Sequence, residues 1–428
     1  MQHIETRTIH DGKIADTAFD SVMPPLYPIS TFAFDRLGEH RGFDYTRTGN
    51  PTRRALETCL AGLEGGADAI CTATGMAAVT AVLHLLRPGD HVVAGHDIYG
   101  GTYRLMHDIF SAYGIVFTFA ELCDPAALEP ALRPETRMIW METPSNPMLK
   151  LTDIAAVTAV ARARGILTVV DNTFLTPCFQ QPLALGTDIV VHSTTKYING
   201  HSDVVGGAVI CADPEQHEKI AFIANGLGLT ESPWDAWLVL RGVRSLPQRM
   251  AAHVAGAQAL AVFLQQHPKV TAVHFPGLPE HPQAELARRQ MTGPGGVVTF
   301  EVDSDKDGLD RLFGGLRLFS LAESLGGVES LVNHPSIMTH GSVPRERRQA
   351  LGITDNRPPI TTPFMATTRP IRVPYPRSNR RRVRGRPTRV SCRGECPPWC
   401  GRLPTSTDGS YTRVTRSRTR HPRATRPG

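Results

Sequence analysis

Four short apolar runs constrain this chain more than any other feature: Asp90-His91-Val92-Val93-Ala94, Met138-Ile139-Trp140-Met141, Leu167-Thr168-Val169-Val170 and Asp188-Ile189-Val190-Val191. Each is too short for a typical buried helix and is apolar at consecutive positions, as a strand covered on both faces must be. Between them lie amphipathic segments such as 151–165, and an apolar helical period through Ala55, Leu56, Leu60 and Leu63 precedes them. The alternation predicts βαβ units, an α/β fold with a mainly parallel sheet. With 428 residues, 41 % of them hydrophobic, the chain can bury a sizeable core. A small disulfide scaffold and wholesale disorder are both excluded.

Residues 1–50 contain Pro24, Pro25 and Pro28 and many aromatics, so they predict an irregular arm that reaches a second subunit. A large domain is expected over 51–245. The Ala/Leu/Val-rich stretch 251–266 predicts a long bridging helix, and Gly293-Pro294-Gly295-Gly296 a turn feeding a strand over 297–302. A smaller α+β domain is therefore expected over 246–356. Beyond it the text changes: residues 357–428 hold 18 arginines, no lysine, 12 of the 34 prolines, and only Glu395 and Asp408 as acids. They show neither helical nor strand period, which predicts a disordered tail. An out-of-frame reading of GC-rich coding sequence also yields such a text. The net charge of +6 belongs to this tail, since the first 356 residues carry 28 basic against 38 acidic residues. Binding of nucleic acid or another polyanion is thus a reading for the tail alone.

The first residues lack the apolar run of a signal peptide, and no stretch of ~18 apolar residues occurs, so a cytoplasmic protein without a membrane partner is expected. Cys59, Cys71, Cys123, Cys178 and Cys211 stand singly among apolar residues, as reduced core thiols do. Cys392, Cys396 and Cys400 with His421 lack the two-residue zinc-knuckle spacing, and His192 and His201 read as core or loop histidines, so no metal is expected.

Ser193-Thr194-Thr195-Lys196-Tyr197 follows the last apolar run. A lysine at the carboxyl end of a parallel strand lies where α/β sheets bind ligands. Asp171-Asn172 ends the neighbouring run, where a carboxylate is costly unless it faces a cation such as a protonated pyridine nitrogen; a capping aspartate fits the same text. In Thr72-Ala73-Thr74-Gly75-Met76-Ala77-Ala78, small residues precede a helix expected over 76–86, so the N–H groups of Gly75 and Met76 could hold a phosphate with the Ser193 and Thr195 hydroxyls. Tyr99, opening a glycine-rich loop, is placed to stack on a flat heteroaromatic ring or to pack in the core. Phosphate, pyridinium and an aldehyde-capturing amine are together the requirements of pyridoxal 5'-phosphate chemistry.

Six ordered segments, Tyr45-Thr46-Arg47-Thr48-Gly49-Asn50-Pro51-Thr52, Thr74-Gly75-Met76-Ala77-Ala78, Tyr99-Gly100-Gly101-Thr102, Glu142-Thr143-Pro144-Ser145-Asn146-Pro147, Val170-Asp171-Asn172-Thr173 and Ser193-Thr194-Thr195-Lys196-Tyr197, resemble a known motif series. It is that of the Cys/Met-metabolism pyridoxal phosphate enzymes, the cystathionine γ-synthase and γ-lyase group. The resemblance implies a type I pyridoxal phosphate fold, aspartate aminotransferase-like, with pyridoxal 5'-phosphate as cofactor. It further implies that Lys196 bonds the cofactor and moves protons, Asp171 pairs with the ring nitrogen, Tyr99 stacks on the ring, and Gly75, Met76, Ser193 and Thr195 bind the phosphate. Tyr45 and Arg47 would complete the neighbouring subunit's site in a homo-oligomer, expected to be a tetramer. Asn146 and Ser324 would contact an amino-acid substrate. The implied activity is transsulfuration by elimination and replacement on a homoserine ester or cystathionine, γ-synthase-like, with cystathionine γ- or β-lyase as alternatives. Methionine γ-lyase fits less well, because Gly100-Gly101 leaves no cysteine after Tyr-Gly.

One departure stands out. After Gly352-Ile353-Thr354-Asp355-Asn356 the family continues with Arg-x-Ser-Val-Gly, whose arginine clamps the substrate carboxylate, whereas this chain has Arg357-Pro358-Pro359-Ile360. A cofactor-binding but inactive protein is therefore a further alternative.

Overall fold

The computed structural model describes residues 3–13, 16, 18–341, 345–353 and 359–363. Seven strands form one sheet: β1 (Asp68–Thr72), β2 (His91–Gly95), β3 (Val116–Ala120), β4 (Thr136–Glu142), β5 (Leu167–Asp171), β6 (Ile189–His192) and β7 (Gly207–Cys211). Their order is β1-β7-β6-β5-β4-β2-β3. The four apolar runs are β2, β4, β5 and β6, with ends displaced by at most two residues. From β6 to β3 neighbours are parallel; β7 is antiparallel to both β1 and β6. The expected mainly parallel sheet is thus present with one reversed strand.

Helices cover both faces, which is why the strands are apolar at consecutive positions. On one side α2 (Pro51–Glu64), which follows the arm helix α1 (Ile4–His10), packs Leu56, Cys59, Leu60 and Leu63 against Cys71, Val190 and Ile210. Its limits are written locally. The Asn50 side chain accepts from Thr52 N at 2.9 Å, Pro51 occupies the first turn, and Gly65 ends the helix at φ 78°. On the other side α3 (Gly75–Leu83) packs Ala78, Val79 and Val82 among Val92, Val169 and Val191.

The helix Leu246–Gln265, starting five residues before the expected one, leads to β8 (Val270–His274), β9 (Val297–Val302), β10 (Ser320–Leu321), β11 (Leu331–Val332) and β12 (Pro359–Pro363). β12, β9 and β8 form an antiparallel sheet in that order; β10 and β11 pair in parallel. β12 corrects the sequence reading, because it falls inside the segment assigned to the tail. Ile360-Thr361-Thr362 is a β-branched run, its two prolines stand at the strand ends, and it lies at a sheet edge where proline is tolerated. Residues 364–428, with the polyanion and Cys392/Cys396/Cys400/His421 readings, lie outside the described residues.

The five body cysteines are free thiols, and Cys59, Cys71 and Cys211 are buried. Burial pushes the Cys59 thiol up to about 12. Among the described residues no helix is long and apolar enough to cross a membrane.

Candidate active site

The carboxyl ends of β4, β5 and β6 and the start of α3 meet at one place, and several of the residues singled out from the sequence form a closed ring of contacts there with Thr173 and Glu142. Asp171, the last residue of β5, accepts from Thr173 N at 3.0 Å. The Thr173 hydroxyl accepts from Ser193 N at 2.9 Å. Ser193 faces Gly75 so closely that a Cβ on Gly75 would lie 2.9 Å from the Ser193 Cβ, so only glycine lets the helix start come this near. Met76 and the Tyr99 ring both border Gly101, where an added Cβ would lie 3.0 Å from Met76 Sδ and 2.5 Å from Tyr99 Cε1. Tyr99 N donates to Glu142 Oε2 at 2.7 Å, and Glu142 pairs with Asp171 across β4 and β5, closing the ring.

Lys196 enters through its backbone, donating to the Ser193 carbonyl at 3.2 Å, and its Nζ donates to Ser324 Oγ at 2.9 Å. Burial lowers the Lys196 pKa from its ordinary value, against the opposing pull of Glu323. The neutral amine is the nucleophilic form. Burial raises the Asp171 pKa, while hydrogen bonds from Thr173 and the neighbouring His192 lower it. The Glu142 carboxyl is pushed well above its usual range by burial and then by Asp171. A buried Glu142 carboxyl beside the half-buried Asp171 carboxyl suits a cationic ring.

At the start of α3, Thr74 Oγ1 accepts from Ala77 N at 2.9 Å, and the N–H groups of Gly75 and Met76 stand at the positive end of a nine-residue helix. The Thr195 hydroxyl donates to the Gly206 carbonyl at 3.1 Å and accepts from Gly206 N at 3.0 Å. Backbone N–H groups at a helix start, hydroxyls, a carboxyl pair, a tyrosine and an amine of lowered pKa are thus gathered, and their chemistry fits pyridoxal 5'-phosphate.

Three predicted residues, Tyr45, Arg47 and Asn146, have no contact with this ring among those described. The Arg47 guanidinium, 5.8 Å above the exposed Tyr45 ring, donates to the Asn225 carbonyl and side chain at 2.8 and 2.9 Å. Asn146 is half-buried, with His340 against its backbone. Glu142 and Glu323 stand beside these residues without having been predicted for the site; Glu323 acts electrostatically on both Lys196 and Tyr99. Among the described residues, His96, Asp97 and Glu121 bring potential metal-ligand atoms within 4.8 Å of one another, where the Lys150 ammonium is already 2.6 Å from Glu121.

Comparison with known proteins agrees with this geometry. The family model described as Cys/Met metabolism PLP-dependent enzyme matches residues 5–357. A cystathionine β-lyase of Coxiella burnetii is 46 % identical over 355 residues, 82 % of this chain and 92 % of that protein. A cystathionine γ-lyase of Bacillus subtilis is 47 % identical over 351 residues, 82 % of this chain and 92 % of that protein. The crystal structure of cystathionine γ-synthase from Xanthomonas oryzae pv. oryzae with aminoacrylate and cysteine superposes with a TM-score of 0.84 at 46 % identity, covering 86 % of this chain and 95 % of that one. With type I pyridoxal phosphate architecture, the site on its sheet end and a match over 5–357, the chain belongs to the Cys/Met-metabolism pyridoxal phosphate-dependent enzymes.

Proposed function

We propose that the chain catalyses transsulfuration, joining a thiol amino acid to the γ-carbon of a homoserine ester as a cystathionine γ-synthase does. A second reading, cleavage of cystathionine, is favoured by the γ-lyase and β-lyase relatives at 47 % and 46 % identity. The observation that carries both is the half-buried Lys196 amine just beyond the end of β6, hydrogen-bonded to Ser324.

Bound pyridoxal phosphate supplies an electron sink for the pair left at a substrate carbon when its proton is removed. The chain's own residues do the rest. Lys196 Nζ takes and returns protons, the lowering of its pKa by burial favouring the neutral base. Asp171 holds a proton on the ring nitrogen, and Tyr99 covers the ring. The N–H groups of Gly75 and Met76 and the Ser193 and Thr195 hydroxyls hold the phosphate, with Tyr45 and Arg47 supplied by a second subunit of a homo-oligomer. Ser324 and Asn146 orient the substrate carboxylate; β12 brings no cationic side chain to help them.

The test is product analysis. Purified holoenzyme is offered an acylhomoserine with cysteine, and separately cystathionine. Cystathionine formation supports the synthase. Cysteine with 2-oxobutyrate marks γ-cleavage, and homocysteine with pyruvate β-cleavage. None of these products at enzyme concentrations equal to substrate would refute the function.

A further inference from the structure

Behind the site lies a buried polar group that the mechanism above does not use. Glu64, the last residue of α2, is 2 % exposed, and its Oε1 is bonded twice. It accepts from Asn172 Nδ2 at 2.8 Å and from His192 Nε2 at 2.6 Å. A nitrogen that close to a carboxylate oxygen carries the hydrogen. Asn172 follows Asp171 at the end of β5; His192 ends β6 and precedes Ser193. One oxygen thus ties together the two strand ends that carry the candidate acid and the candidate lysine segment.

Local rules argue against a carboxylate here. A negative charge at a helix C-terminus opposes the helix dipole, and its second oxygen is buried without a partner. Fold stability alone would favour an apolar residue, and a local rule broken without local compensation marks functional positions. The neighbours confirm a clamp rather than a loose contact. Asn172 Nδ2 also donates to the Gln180 carbonyl at 2.9 Å, and Asn172 Oδ1 accepts from Gln180 Nε2 at 3.0 Å, so the Asn172 amide cannot swing when the strand end is pulled.

We propose that Glu64 is a positioning residue, which sets the spacing between Asp171 and Lys196 by holding the ends of β5 and β6 on a single oxygen. This rests on the proposed pyridoxal phosphate site. Reach matters and charge does not. Glu64→Gln keeps an oxygen at the same distance that can accept both bonds, whereas Glu64→Asp keeps the charge and is one methylene too short. Leu60→Ala, one turn earlier on the same helix and buried in its apolar cluster without a hydrogen-bonding side chain, reports general destabilisation.

Each variant is titrated with pyridoxal phosphate and followed by the visible absorbance and circular dichroism of the bound cofactor. Glu64→Gln is expected to match the wild type. Glu64→Asp should bind roughly tenfold more weakly with a diminished dichroic band, and Leu60→Ala should melt earlier yet keep the band. If Glu64→Asp behaves as wild type, or Glu64→Gln is the impaired variant, the proposal is overturned. It also falls if Leu60→Ala loses the band as fully as Glu64→Asp. Absence of any band from the wild type overturns the cofactor site itself, and the positioning role with it.

Discussion

Lys196 Nζ lies 2.9 Å from Ser324 Oγ, so the ligand end of the seven-stranded sheet and the loop before β11 meet through one hydrogen bond. Ser324 holds φ at 102°, which L-residues rarely adopt, and a Cβ on nearby Gly326 would lie 2.4 Å from Tyr197 N. The loop is therefore pressed onto the lysine segment in a conformation that its own sequence does not favour.

Lys196→Ala is expected to abolish turnover and to leave no cofactor mass on the protein after borohydride reduction, while the phosphate donors still retain some cofactor non-covalently. Ser324→Ala should keep the cofactor spectrum and raise KM by about tenfold, since it removes one proposed substrate contact. Full turnover by Lys196→Ala, in a steady-state assay, would eliminate the assignment.

Asp171→Asn should bind cofactor and lose activity by at least ~100-fold, because a neutral amide cannot hold the ring nitrogen's proton where charge develops. Single-turnover rates of both proteins at saturating cofactor provide the check; equal rates contradict the role.

Acid lability should trace in part to His91. Its imidazole is buried between the Thr136 and Thr118 hydroxyls at 2.8 and 2.9 Å, and burial pulls its pKa down from 6.5 to about 4. Between those values the unfolded chain takes up a proton that the folded one refuses. Stability is therefore intact above about 6.5 and is lost as pH falls toward about 4. Urea midpoints at pH 7.5 and 5.0 should fall less for His91→Gln than for the wild type. Identical falls would remove His91 from the explanation.

Mixing Arg47→Ala with Lys196→Ala subunits should restore part of the activity, because one subunit supplies Arg47 and the other Lys196 to a shared site. In the single chain Arg47 donates to the Asn225 carbonyl and side chain. No recovery after demonstrated subunit exchange argues against shared sites.

The sheet was legible where burial on both faces writes a continuous apolar run, as in β2 and β6, all of whose residues are buried. β7 was not, since Gly206-Gly207 reads equally as space for a ligand, and its reversal depends on the return of the chain from Lys196. The places of Asp171 at the end of β5 and of Gly75 at the start of α3 were legible because strand ends and helix starts have readable patterns. Glu64 and Glu142 were not, because a carboxylate ending a helix or strand looks the same in sequence whether it is solvated or enclosed. Tyr45 and Arg47 rested on resemblance alone, and no local pattern could have told Ser324's positive φ from an ordinary serine loop.

The most consequential misreading concerns β12, and it supplies a direct test. Averaged over 72 residues, the tail's arginine and proline content hides Ile360-Thr361-Thr362. Yet that run pairs with β9, Ile360 is fully buried among Val302, Leu309 and Val332, and Thr361 Oγ1 lies 3.1 Å from Thr299 Oγ1. A β-branched side chain closing an apolar cluster should behave as core whatever text surrounds it. Ile360→Ala should destabilise the fold by about 2–5 kcal/mol, the range for emptying such a position. Arg372→Ala, in the same compositional tract but outside the described residues, should leave the urea midpoint unchanged. If Ile360→Ala also leaves the midpoint unchanged, β12 is not part of the folded core and the tail begins at residue 357, as composition alone suggests.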